Sequence, residues 1–156
     1  MRITGKCLCL GADIDTDQII AGRYLRTKDR AVWAEHVFED LDPLLAPRLK
    51  GAIIITGNNF GCGSSREQAP LALREAGVVG VIAPFFARIF FRNAINVGLP
   101  LLECTCRCEE GVMVTADLAE GWVQVGGTCT PAPPLSPRML GILTAGGLVE
   151  YWRHRP

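Results

Sequence analysis

Hydrophobic positions divide this chain into strand-like and helix-like stretches that alternate for its first two thirds. Ile3 to Leu10 has the length and composition of a first strand, and Ala52-Ile53-Ile54-Ile55-Thr56 is an unbroken β-branched run that predicts a strand buried on both faces. Val78 to Ala83 predicts another buried strand, stopped by Pro84. Between and around these lie helical patterns. Asp29 to Phe38 opens on an aspartate cap and sets Val32 with His36, and Trp33 with Val37, four apart. Pro70 to Ala76 has proline in its first turn and ends at Gly77. Phe85 to Val97 carries Phe86, Ile89, Phe90 and Ala94 on one stripe, with Arg88, Arg92, Asn93 and Asn96 off it, and closes at Gly98 and Pro100. Two strand–helix units in succession predict an α/β fold with a parallel pair.

The last third follows a different pattern. Val112 to Thr115 and Trp122 to Val125 alternate about an acidic, glycine-ended turn, so they predict a hairpin. Thr130 to Leu135 is proline-rich and reads as an extended linker. Ser136-Pro137 caps a helix running through Leu143, and a short helical piece after Gly146-Gly147 reaches about Trp152. With 156 residues the chain is expected to form one domain over 1–156, the linker and C-terminal helices occupying about 130–153.

Charge and cysteines narrow the function classes. Basic and acidic residues number 16 each, so no net field draws the chain to nucleic acid or an anionic membrane surface. Of the bases, 13 are arginine, the side chain suited to two-pronged contacts with carboxylates. No apolar run is long enough to span a bilayer and no signal-peptide core precedes the first strand, so a soluble cytoplasmic protein is expected. The seven cysteines include no C-x-x-C pair and are expected as reduced thiols. Cys104, Cys106 and Cys108 alternate as on one face of a strand, where buried thiols are favoured over metal ligands. No metal ligand set is read on this chain.

The stretch with the most hydrogen-bonding groups is Gly57 to Pro70, G-N-N-F-G-C-G-S-S-R-E-Q-A-P, directly after the buried run. It lacks the lysine of a phosphate-binding P-loop before Ser64, and Arg66 stands where the dinucleotide pattern needs its third glycine. Ser64-Ser65-Arg66-Glu67 also fits a helix capping box, but Pro70 would fall inside a helix begun at Ser64. The consistent reading is a tight turn over Gly61–Gln68 whose amides and Arg66 hold an anion, followed by a helix from about Pro70. Upstream, Asp13, Asp15 and Asp17 alternate, but Gln18 replaces the glycine of a calcium loop, so they read as an Asx-rich turn.

The strings Gly11-Ala12-Asp13-Ile14-Asp15-Thr16-Asp17-Gln18-Ile19-Ile20, Tyr24-Leu25-Arg26-Thr27, Gly57 to Glu67 and Asn93-Ala94-Ile95-Asn96 with Gly98 closely resemble the small subunits of 3-isopropylmalate dehydratase and homoaconitase, the aconitase swivel domain as a separate chain. The resemblance runs from about residue 3 to the final helix. It implies a swivelling β/β/α domain, a mixed sheet with flanking helices. It further implies a large-subunit partner bearing a 4Fe-4S cluster, no cofactor on this chain, and reversible dehydration of a small hydroxy-carboxylate in leucine biosynthesis. Isolated, such a chain can self-associate. On this resemblance Ser64 is the base, Ser65 and nearby amides stabilise charge, and Arg66 grips a carboxylate. Arg26, Thr27, Asn59 and Gly63 are assigned to substrate binding, and Asp15, Thr16, Asp17 and Glu67 to support.

Two departures bear on substrate and proton transfer. Gln68 stands where the family commonly has histidine, and Arg26 occupies a loop that is apolar in isopropylmalate members, so it resembles the homoaconitase type, with a further carboxylate to pair. 3-Isopropylmalate is the leading substrate, and a homoaconitase-type substrate the alternative. A different class, a non-catalytic anion-binding or interaction module, also fits the loop.

Overall fold

Ala52–Ile55 lies inside a mixed seven-stranded sheet in the computed structural model, which describes residues 1–155. The strands are β1 (Arg2–Cys9), β2 (Ala52–Ile55), β3 (Gly80–Ala83), β4 (Leu101–Glu103), β5 (Met113–Asp117), β6 (Trp122–Val125) and β7 (Thr128–Pro131). Their order is β4-β3-β2-β1-β5-β6-β7. The first four run parallel, and β5, β6 and β7 continue antiparallel from β1. The helices are α1 (Thr16–Ile19), α2 (Arg30–Glu35), α3 (Gln68–Glu75), α4 (Arg88–Val97), α5 (Pro137–Ala145) and α6 (Leu148–Arg153). The chain is therefore an α/β protein with the mixed sheet and flanking helices that the sequence predicts.

Both faces of the parallel half are covered, which is why β2 has no polar side. Ile54 joins Leu8, Val81, Phe60, Phe90 and Leu73 in one cluster. Its neighbours Ile53 and Ile55 point the other way, into Ile82, Leu102, Val114, Val123 and Leu143. α5, capped by the Ser136 hydroxyl accepting from Met139 N, packs on that second face.

Five expectations need correction, the last of them the helix expected over Asp29 to Phe38. Cys104 to Cys108 is not strand, because β4 ends at Glu103 and the segment turns back over the C-terminal ends of β1 and β2. The start of the expected linker is β7, whose ladder with β6 pairs Val125 with Thr128; only Ala132–Leu135 remains a linker. Ile89 does not share the buried stripe of Phe86, Phe90 and Ala94 but is 54% exposed. Finally, not all cysteines are thiols. Cys9 and Cys108, 99 residues apart in sequence, are joined as a disulfide with their Cα atoms 5.9 Å apart, a proximity that only the chain's return after β4 creates. The central helix also stops early, at Glu35, although Trp33 and Val37 are both buried as its spacing requires.

Candidate functional site

Three loops leave the C-terminal ends of the adjacent strands β1, β2 and β3, and they are laced together. Thr56 Oγ1 donates to Gly11 O at 2.7 Å. Asp13 N donates to Asn58 O, Thr16 N to Cys62 O and Gly61 N to Ile14 O, each at 2.8 Å. Asn59 N and Ala87 N tie in the third loop through Phe85 O and Phe60 O. This is the edge of a parallel sheet where open α/β folds bind ligands.

Beneath the loops, Phe60 meets Phe90 edge-on at 5.3 Å and Phe86 edge-on at 6.3 Å. Gly61 lies so close to this cluster that a Cβ there would stand 2.1 Å from Phe90 Cγ, and its φ of +84° is left-handed as well. Gly63 is constrained from the other side, with φ +93° and the Asp15 carboxylate 2.4 Å from where a Cβ would be. Glycine at both positions lets the loop pass between helix α4 and the Asx-rich turn.

Asp15 caps α1, accepting from Asp17 N at 2.7 Å while Gln18 Oε1 accepts from Asp15 N at 2.9 Å. The capping box of the sequence is thus formed here, and not at Ser64. The box that Ser64 and Glu67 could have formed is absent, as the tight-turn reading requires: Glu67 sits at the N-cap of α3 without a side-chain bond, and Arg66 N donates instead to Ser64 O at 2.9 Å. Freed from capping, Ser64 Oγ lies 3.2 Å from the buried Thr16 hydroxyl, which also donates to Ser64 O at 3.1 Å. The amides of Asn59 and Gly61 are engaged by neighbouring loops, whereas those of Gly63, Ser64 and Ser65 have no protein acceptor among the described residues.

These groups face a cleft of about 500 Å³ lined by Thr16, Gly63, Ser64, Ser65, Arg66 and, from α4, Arg88, Arg92 and Asn93. Arg66 forms an ion pair with Asp17, but the contact lacks hydrogen-bond geometry, so its buried Nη1 keeps an unmet N–H. A buried donor left without an acceptor is the usual mark of a ligand position. Three arginines, a helix N-terminus and free amides make the cleft strongly receptive to carboxylates. Cys62, beside Asp15 and Asp13, is held in the thiol form by burial first and by those carboxylates second.

The sequence-predicted residues separate into two groups. Ser64, Ser65, Arg66, Gly63 and Thr16 line the cleft, and Asp15 and Asp17 brace it. Arg26, Thr27, Asn59 and Glu67 do not line it. Arg26 is exposed, Thr27 Oγ1 accepts from Asp29 N, Asn59 Nδ2 donates to Asp13, and Glu67 faces a separate groove with Arg30 and Arg74. The loop bearing Arg26 is held to α2 through Trp33 Nε1 donating to Tyr24 O, and to the turn after α2 through Tyr24 OH donating to Glu39. His36, stacked on Tyr24 at 4.1 Å, belongs to that network and not to the cleft. Arg88 and Arg92 were legible only as the polar side of a helix; the signal was two arginines four apart beside Asn93.

Fold and cleft together define an aconitase-type C-terminal domain, and residues 43–105 match the family model described as the aconitase C-terminal domain. The chain is 48% identical to the 3-isopropylmalate dehydratase small subunit of Moorella thermoacetica, over 97% of this chain and 95% of that one. It is also 48% identical to the methanogen homoaconitase small subunit of Methanothermobacter thermautotrophicus, over 96% and 90%. The crystal structure of 3-isopropylmalate dehydratase (leuD) from Methanocaldococcus jannaschii superposes with a TM-score of 0.92 at 41% identity, covering 98% of this chain and 94% of that one. The chain belongs to the family of 3-isopropylmalate dehydratase small subunits and their homoaconitase relatives.

Proposed function

We propose that this chain is the small subunit of a heteromeric hydro-lyase that interconverts 3-isopropylmalate and 2-isopropylmalate by dehydration and rehydration, serving leucine biosynthesis. The observation that carries the reading is Ser64, uncapped, bonded to Thr16 and facing a cleft with Arg66, Arg88 and Arg92. Thr16 has one hydroxyl proton. With that proton on Ser64 O, the Ser64 hydroxyl is the donor in the bond between the two side chains. An alkoxide at Ser64 would reverse this: Thr16 turns its proton onto Ser64 Oγ, and the surrounding positive groups stabilise the charge. Ser64 Oγ then takes the carbon-bound proton of the substrate and returns one on rehydration. Arg66, exchanging Asp17 for a substrate carboxylate, orients that carbon.

No cysteine lines the cleft, so its residues do not fit an iron–sulfur cluster. The 4Fe-4S cluster of this reading is assigned to the large subunit, where it supplies the Lewis acid for the leaving hydroxyl. Phe85 and Ile89, 48% and 54% exposed beside the cleft, support a face that a partner covers. A homoaconitase-type substrate is the second reading, supported by the three arginines of the cleft, one more than the two carboxylates of isopropylmalate require.

The test is reconstitution with the large subunit under anaerobic conditions, assaying 3-isopropylmalate, homoaconitate and citraconate in parallel. The isolated chain should be inert and the complex active on 3-isopropylmalate, with Ser64→Ala abolishing turnover but not assembly. Turnover by the isolated chain would overturn the shared-site reading, and near-wild-type activity of Ser64→Ala would remove Ser64 as the base. An Arg26→Val variant that moves preference toward the apolar substrate would identify that residue as the selector. An anion-binding chain that recruits no large subunit would favour the non-catalytic module.

A further inference from the structure

Near the C-terminal end of β1, outside the residues that line the cleft, β1 brings two cysteines to one sheet face, and the return of the chain after β4 adds a third. Cys7 Sγ lies 3.6 Å from Cys108 Sγ and 3.8 Å from Cys9 Sγ, and all three sulfurs fall within 4.8 Å of one another. Cys9 and Cys108 form the disulfide, so Cys7 is a third sulfur held against it. We propose that, when this disulfide is reduced, Cys7, Cys9 and Cys108 form a three-thiolate site for a single soft d10 cation, copper(I) or zinc(II).

The spacing argues for one ion. Sulfurs bound to a common tetrahedral ion at about 2.3 Å lie about 3.8 Å apart. That is the separation Cys7 already keeps from both partners. A cluster with each thiolate on a different iron would need the sulfurs spread more widely. Ligand type selects the metal: thiolates without imidazole suit soft cations over calcium or magnesium. The backbone is already shaped for the site. Cys7 and Cys9 share a face through the two-residue strand period. Cys108 is fixed by its Sγ–Ile55 O contact of 3.5 Å at the end of β2. Access is from the Cys108 side, which is exposed, while Cys7 is 2% exposed and closes the floor. The Glu110 carboxylate already accepts from Cys9 N at 2.7 Å and pairs with Arg48, so the fourth position of a tetrahedral zinc ion falls to water. A trigonal copper(I) ion needs no fourth ligand.

Opening the disulfide takes two electrons and two protons from a dithiol reductant, which leaves as its own disulfide. Metal binding then displaces the thiol protons to solvent.

The experiment reduces the full chain with dithiothreitol, removes the reductant anaerobically, and titrates it separately with zinc(II) and copper(I) against chromophoric chelators. Metal retained after desalting is counted. The expected result is about one ion per chain, lost in Cys108→Ser and in Cys7→Ser and kept in Cys129→Ser, an exposed cysteine outside the cluster. Reduced wild type that retains no ion, or Cys108→Ser that retains as much as wild type, overturns the proposal. Because Cys108 is exposed, its variant decides the matter even if Cys7→Ser does not fold.

Discussion

Thr16 sits at the hinge between structure and chemistry in this chain. It is almost fully buried, its amide closes the ladder to Cys62, and its hydroxyl touches two atoms of Ser64. Thr16→Val keeps the shape and replaces the hydroxyl with a methyl group. The loss of a hydrogen bond to a charged group costs about 1.5–3 kcal/mol, so kcat of the reconstituted enzyme should fall roughly ten- to a hundredfold with KM little changed. An unchanged kcat would mean that Ser64 gains nothing from Thr16. Arg66 is different, because it lines the cleft and its only charged partner among the described residues is the largely exposed Asp17. Arg66→Ala should cost about 2.7–4 kcal/mol of transition-state stabilisation, a hundredfold or more in kcat/KM, and steady-state kinetics on the complex checks it. Ser64, Ser65 and Arg66 were legible as a string because few other chemistries use that order of residues. Arg88 and Arg92 were not, since an arginine on the polar side of a helix is ordinarily solvated.

At the scale of elements, the loop after β2 is shaped less by its polar residues than by Phe60, which anchors it on α4. Gly61→Ala tests this. Left-handed backbone costs a non-glycine residue about 1–2 kcal/mol, and the clash with Phe90 should add about 1–3 kcal/mol. Urea unfolding should show that loss, and activity should fall with it as the Ser64 turn is displaced. A variant of wild-type stability would show that α4 can yield. The strands were readable where burial on both faces leaves no polar residue, as in Ile53 to Ile55. β7 was hidden by the proline of Thr128–Pro131, which an edge strand tolerates because one side of it pairs with nothing. Residues 104–108 alternated like a strand but have no ladder to join. Ile89 matched the helical period of the apolar stripe and still faces outward, since the period fixes an angle and not what lies opposite.

For the whole molecule, Asp117 ties the N-terminal strand to the β5–β6 hairpin. Its carboxylate accepts from Glu120 N at 2.8 Å, Ala119 N at 2.9 Å and Arg2 Nε at 3.0 Å. The Glu120 amide first, then Arg2 and the Ala119 amide, hold its pKa below the ordinary carboxylate value against partial burial. A depressed carboxylate stabilises the fold above its unfolded pKa, about 3.9, and that contribution is lost as pH falls through the native value. The melting temperature should therefore drop on acidification below about pH 4. Asp117→Asn should flatten part of that dependence, leaving the share due to Glu39 and Asp40, whose values are lowered by Tyr24 and by Arg23 in turn. No helix among the described residues is long and apolar enough to cross a membrane.

The sequence alone determined the strand–helix alternation, the parallel pair, the uncapped turn at Ser64 and the family, because each depends on local periodicity, backbone-restricting residues or an uncommon string. Only the tertiary structure decided that Thr16 meets Ser64, that α4 lends Arg88 and Arg92 to the cleft, that Arg26 stands apart from it, and that Cys7, Cys9 and Cys108 converge. Thr16 and Ser64 are 48 residues apart in sequence, and Cys7 and Cys108 are 101 apart. Their distances depend on strand order and on the direction of chain return, which no local pattern encodes.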